Sequence, residues 1–146
     1  MAEAAVVLYW DTSAVLSYLF VDSHSAIAQK WAATDGHHLL SSLAHAEACA
    51  VVARMTREGI IDESDANAAQ ATVQNGLWRQ LNGLPDRDTV SLLAEKWALR
   101  GADLWHLAMA VSLREELPEL KLISFDDKLS KAATGEGLAC NHSGAG

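Results

Sequence analysis

The chain has 146 residues, 50% of them hydrophobic and 21% charged, the composition of one globular domain rather than of a disordered chain or one that needs a second core. Its 19 acidic against 11 basic side chains leave a net charge of −8, so the surface as a whole repels nucleic acid and anionic membranes, and any phosphate chemistry must be local. No apolar run approaches the roughly 20 residues of a membrane span, and an N-terminus with Glu3 and no early basic cluster makes a poor signal peptide. A cytosolic (cytoplasmic) protein is expected, with Cys49 and Cys140 as reduced thiols; they form neither a disulfide framework nor a paired zinc motif.

Val6 to Trp10, VVLYW, is short, β-branched and aromatic, the pattern of a strand buried on both faces, and it ends on Asp11. Helical stretches follow over Ala14 to Phe20 and, after the polar break VDSHS, over Ala26 to Ala33. HHLLSS reads as a second strand. Leu43 to Arg57 is alanine-rich and apolar on most faces, a helix largely surrounded by protein and ended by Gly59. DESDANAAQATVQNGLWRQL, with acids in its first turn and an amphipathic pattern, reads as one more exposed helix. NGLPDRD is the clearest loop. Thr89 to Leu99 and Leu104 to Leu117 are helical and separated by RGAD; KLISF is a strand that again ends on aspartate. KLSKAATGEGL makes a last short helix with glycines at its end, and CNHSGAG, from about residue 140, is a tail expected to fray.

Few strands, many intervening helices and no hairpin signal predict a single α/β domain over residues 1–146, with a mainly parallel central sheet and helices on both faces. Ligands of such folds gather outside the carboxyl ends of the strands, where Asp11 and Asp126 sit.

Each candidate acid has an ordinary structural explanation beside a chemical one. Asp11, Thr12 or Ser13 would serve as the cap of the helix that follows. Glu47 is the only acid between Leu39 and Val52, and Arg54, two turns along the same helix, is its obvious structural partner. Asp103, after Gly101 and before LWHLAMAV, stands where a helix cap belongs. Taken together, Asp11, Glu47, Asp103 and Asp126 would repel one another and raise their own pKa values if they converged without a cation. An oxygen-only carboxylate cluster suits a hard divalent ion, Mg²⁺ or Mn²⁺.

These motifs resemble the PIN-domain family of metal-dependent nucleases, and within it the VapC-type toxin branch, in which an Asp, Glu, Asp, Asp quartet binds the metal. LYWDTSAVLSYL places the first acid at Asp11, SSLAHAEACAVVARMTREG the glutamate at Glu47, RGADLWHLAMA the third at Asp103, and LISFDDKLSKAA the last at Asp126, two residues after Ser124. The resemblance runs from about Val6 to Leu138 and implies a three-layer α/β/α sandwich. It departs from the family at Ser17, where a lysine is frequent, and at Trp10 and Trp105, where smaller aliphatic residues are usual; Asp127 is an alternative to Asp126 as ligand.

The resemblance implies hydrolysis of RNA phosphodiesters by metal-activated water, with no covalent enzyme intermediate. It also implies neutralisation by a cognate antitoxin, and a homodimer. Thr12, Ser13 and Ser124 would orient the acids or a phosphate oxygen. Arg100, Lys128 and Lys131 are candidates for contact with the RNA backbone, and Trp105 for stacking on a base. His106 reads as a structural hydrogen-bonding residue, because metal-bound water needs no histidine to act as general acid.

An aspartyl-phosphate phosphatase would want an acid where Ser13 stands, a receiver domain would want an aspartate at the end of HHLLSS, and there is no Walker-type glycine loop. The alternative is non-enzymatic: a catalytically weak or inactive PIN-like scaffold that works mainly by binding a partner protein, which an acidic surface favours.

Overall fold

The structure is a computed structural model and describes residues 6–140. Most of the CNHSGAG tail, and Glu3 in the N-terminal stretch read as a poor signal peptide, lie outside the described residues.

The chain runs β1 (Val6–Trp10), α1 (Thr12–Leu19), α2 (Ser25–Ala32), β2 (Gly36–Ser41), α3 (Ser42–Arg57), α4 (Glu63–Asn75), β3 (Trp78–Leu81), α5 (Arg87–Lys96), α6 (Gly101–Arg114), β4 (Leu120–Ile123) and α7 (Asp127–Gly135). The strands form one sheet in the order β3-β2-β1-β4, and every pairing is parallel. Parallel neighbours cannot be joined by a hairpin, so a helix lies in each crossover and both faces of the sheet are covered.

Side chains alternate across β1 with a period of two. Leu8 and Trp10, with Leu40 and Ile123, pack on residues of α1 to α4 such as Ala14, Val15, Ala28, Ala44 and Val73. Val7 and Tyr9, with Leu39 and Leu122, face residues of α5 to α7 such as Leu93, Leu107 and Leu129. Two cores on opposite faces make the three-layer α/β/α sandwich that the sequence leads one to expect. Trp10, fully buried, meets Tyr18 and Trp78 edge-on and donates its indole N–H to His38 Nδ1 at 3.0 Å.

Helix α3 ends as its glycine predicts. Gly59 adopts φ +71°, its N–H bonds Thr56 O, and Ile60 N–H bonds Met55 O, which satisfies two of the helix's last carbonyls.

The stretch from Asp62 to Leu81 differs from its expected single helix. Helix α4 stops at Asn75, Gly76 caps it, and Trp78–Leu81 is instead a strand on the outer edge of β2. Trp78 anchors that strand by burying its indole against Trp10 and Tyr18. Among the described residues no helix is long and apolar enough to cross a membrane.

The register decides where the chemistry falls. Trp10 is level with Leu40 on one side and Ile123 on the other, so the next residues, Asp11, Ser41 and Ser124, emerge side by side at the carboxyl edge. Residues 97–100, which form no helix or strand, precede α6, whose first turn carries Asp103.

Candidate active site

Asp11 lies at the carboxyl edge of the sheet. It is 2% exposed, follows β1, and its backbone N–H bonds Ile123 O at 3.1 Å, which ties it to the end of β4. Its Oδ1 accepts from Ala14 N–H at 2.8 Å and from Ser13 Oγ at 2.7 Å, so Asp11 does cap α1. Burial pushes its carboxyl up to about 6, against hydrogen bonds from Ser124, Ala14 N–H and Ser13 that favour the charged form; the charge of Asp103 raises it further. Ser13 also accepts Phe125 N–H at 2.9 Å, fastening the start of α1 to the segment after β4.

Asp103 lies in the first turn of α6, within electrostatic reach of Asp11, Asp126 and Glu47. Its pKa is raised by burial and then by the charges of Asp126 and Glu47, with Arg100 opposing. The cap position of α6 is Arg100, with no side-chain cap bond, so the reading of Asp103 as a helix cap is not what the structure shows. Asp126 does cap its helix: its Oδ1 accepts from Leu129 N–H at 2.8 Å, and its own N–H donates to Ser124 Oγ at 3.1 Å.

Glu47 projects from the second turn of α3. Thr12 Oγ1 donates to its Oε1 at 2.6 Å, and His106 Nε2 lies 3.5 Å from the same oxygen. Arg54 is not its partner; it pairs at 3.8 Å with Glu58, both side chains being exposed. Burial lowers the pKa of His106 and favours the neutral imidazole, while Glu47 acts the other way. Tyr9, buried behind it, bonds His106 Nδ1 at 2.8 Å, and burial holds its phenol well above the ordinary value. Tyr9 and Ser41 escaped the sequence reading. The only signal for Tyr9 was a polar tip on a strand residue otherwise expected to be core.

Asp127 is exposed at the start of α7 and lines a cavity of about 280 Å³ with His24, Ser124, Phe125 and Ser130; of the two neighbouring acids, Asp126 is the one whose charge raises the pKa of Asp103. Arg100, Lys128 and Lys131 are exposed. Trp105 is half-buried in a cleft of about 420 Å³ with Leu84, Pro85, Arg87 and Val90; two residues on from Asp103, it projects from the opposite side of α6. Ser17, which stands where the resemblance predicts a lysine, is buried and donates to Asp22 Oδ2 at 2.8 Å.

Among the described residues no three His, Cys, Asp or Glu side chains stand close enough together to hold a metal ion as they are placed. The donor chemistry nonetheless fits one. The charge of Asp103 raises the pKa of Asp11, the charges of Asp126 and Glu47 raise that of Asp103, and Arg100 opposes the rise at Asp103. A hard divalent ion would relieve that repulsion as the side chains close on it.

The PIN domain family model matches residues 8–135. Among solved structures, the chain is similar in fold to VapC20 of Mycobacterium tuberculosis, described as a sarcin-ricin loop cleaving toxin: the TM-score is 0.54 and the identity 18%, over 86% of this chain and 94% of that one. No curated protein sequence matches.

Proposed function

This chain belongs to the PIN-domain family, and from that premise we propose that it is a divalent-metal-dependent endoribonuclease, the toxin of a VapBC-type toxin-antitoxin pair. The observation that carries the reading is the buried carboxylate of Asp11 at the carboxyl edge of a parallel sheet, held ready by Ser13 and Ser124 and facing the charge of Asp103. A protein with no use for that charge would gain by losing it.

In this reading Asp11, Glu47, Asp103 and Asp126 hold Mg²⁺ or Mn²⁺. Bound there, such an ion would acidify a water and polarise the scissile phosphate. Thr12 fixes the Glu47 carboxylate, Ser13 and Ser124 fix that of Asp11, and capping of α7 fixes Asp126. Arg100, Lys128 and Lys131, all exposed, contact the RNA backbone, whereas Trp105 lies in a cleft on the opposite side of α6 from Asp103 and is not beside the acids. The net charge of −8 suits a cationic antitoxin segment as much as it disfavours loose RNA binding, and the protein works in the cytoplasm as a homodimer.

A second reading, a PIN-like scaffold that acts by protein binding, is favoured by the same net charge and by the finding that among the described residues no three acids are grouped as a metal site. Cleavage of a panel of structured RNAs, ribosomal stem-loops included, separates the two when it is run with Mg²⁺, Mn²⁺ or chelator. Metal-dependent cutting that is lost in Asp11→Asn and in Asp103→Asn establishes the nuclease. No cutting by the wild type under any metal leaves the scaffold.

A further inference from the structure

The Tyr9 hydroxyl, the His106 imidazole, the Thr12 hydroxyl and the Glu47 carboxylate form an unbroken line from the buried face of β1 to the crevice, with contacts of 2.8, 3.2 and 2.6 Å. The carboxylate fixes the direction of the line. The Thr12 hydroxyl spends its proton on Glu47 Oε1, to which it donates at 2.6 Å. The Thr12 oxygen is then an acceptor for its other neighbour, and His106 Nε2, 3.2 Å away, must carry the hydrogen. A neutral imidazole has one N–H, so Nδ1 accepts, and the Tyr9 O–H donates to it at 2.8 Å. Ser41 Oγ receives the Ala44 N–H at 3.1 Å as the cap of α3, the helix that carries Glu47.

We infer that Tyr9 and His106 are positioning residues: a one-directional hydrogen-bond chain, Tyr9 to His106 to Thr12 to Glu47, holds the Glu47 carboxylate at the geometry its role requires. The chain draws on β1, α6, α1 and α3, so it locks together at one point the two helical layers that meet at the carboxyl edge. Aligned donors polarise one another, and loss of one link leaves a buried polar atom without its partner. His106 therefore acts through Thr12 and Glu47, not as an acid or base toward substrate. The inference rests on the proposed role of Glu47, yet part of its test does not.

The test uses the full-length protein. Long-range ¹H–¹⁵N correlation on the imidazoles is expected to show His106 as the Nε2–H tautomer, and Tyr9→Phe to disturb that resonance. Tyr9→Phe and His106→Ala are expected to lower kcat on RNA and weaken calorimetric Mn²⁺ affinity by about 10- to 100-fold, with KM for RNA unchanged. His106→Gln, which retains an N–H for Thr12, is expected to recover most of that loss. Should His106→Ala fail to fold, Tyr9→Phe, which removes one hydroxyl from an otherwise intact ring, decides alone. An Nδ1–H tautomer overturns the chain, as does wild-type Mn²⁺ affinity and kcat in a folded Tyr9→Phe. If the wild type neither binds Mn²⁺ nor cuts RNA, the nuclease reading falls, and the tautomer by itself upholds or overturns the chain.

Discussion

Thr12 Oγ1 lies 2.6 Å from Glu47 Oε1, a side-chain bond across 35 residues of sequence that joins the first turn of α1 to the second turn of α3. Thr12 follows Asp11 directly. One dipeptide therefore supplies an acid to the crevice and steadies a second acid that arrives from another helix.

Thr12→Val keeps the shape of the side chain and removes the hydroxyl. It frees Glu47 and leaves His106 Nε2 without one of its partners. Partners that orient metal-holding groups are worth about 10- to 100-fold in affinity or activity, so Mn²⁺ affinity and RNA cleavage are both expected to drop by such a factor. Thr12→Ser, which keeps the donor, stays within a few-fold of wild type. Parallel calorimetry and single-turnover cleavage check this.

Asp11 makes the metal-free protein pH-sensitive. Burial pushes its carboxyl from the ordinary value of 3.8, which the unfolded chain keeps, up to about 6 in the folded protein. Between those values the folded state holds more protons, so this group makes stability fall as pH rises from about 4 to 6 and keep that deficit at pH 7. The difference corresponds to about 3 kcal/mol. Asp11→Asn, still able to cap α1, is expected to raise Tm in chelator at pH 7 and to flatten the decline between pH 4 and 6. Thermal unfolding across that range checks both.

Arg100, Lys128 and Lys131 are exposed on the segments that carry Asp103 and Asp126. If each neutralises one phosphate, each contributes about 0.7 to the slope of log affinity against log salt for single-stranded RNA. In an Asp103→Asn background, which prevents cutting, replacing all three with alanine is expected to reduce the slope by about 2. An unchanged slope places the RNA path elsewhere.

Much of this architecture is legible in the sequence, and the failures have physical causes. The run Val6–Trp10 reads as a strand because β-branched and aromatic residues crowd it, and its register then delivers Asp11 to the edge. Strand β3 is hidden because Val73, Leu77 and Leu81 recur every four residues and continue the helical stripe of α4, although Gly76 has already ended that helix. The start of α6 falls at Gly101, before the residue that capping preference would choose, because Arg100 holds the cap position and no side chain caps the helix. That Arg54 prefers Glu58 follows from helix spacing: four residues bring the two side chains together, whereas seven separate Arg54 from Glu47. Nothing local marks the bond of Tyr9 to His106, whose partners lie 97 residues apart and meet only once α6 packs on the sheet.

Calorimetric titration of Mn²⁺ into chelator-stripped wild-type protein, beside Asp11→Asn, is the most direct test that these acids act together on a cation. Saturable binding by the wild type, accompanied by a rise in Tm, and loss of both in Asp11→Asn are expected. No binding by the wild type, or equal binding by the variant, would contradict that joint action.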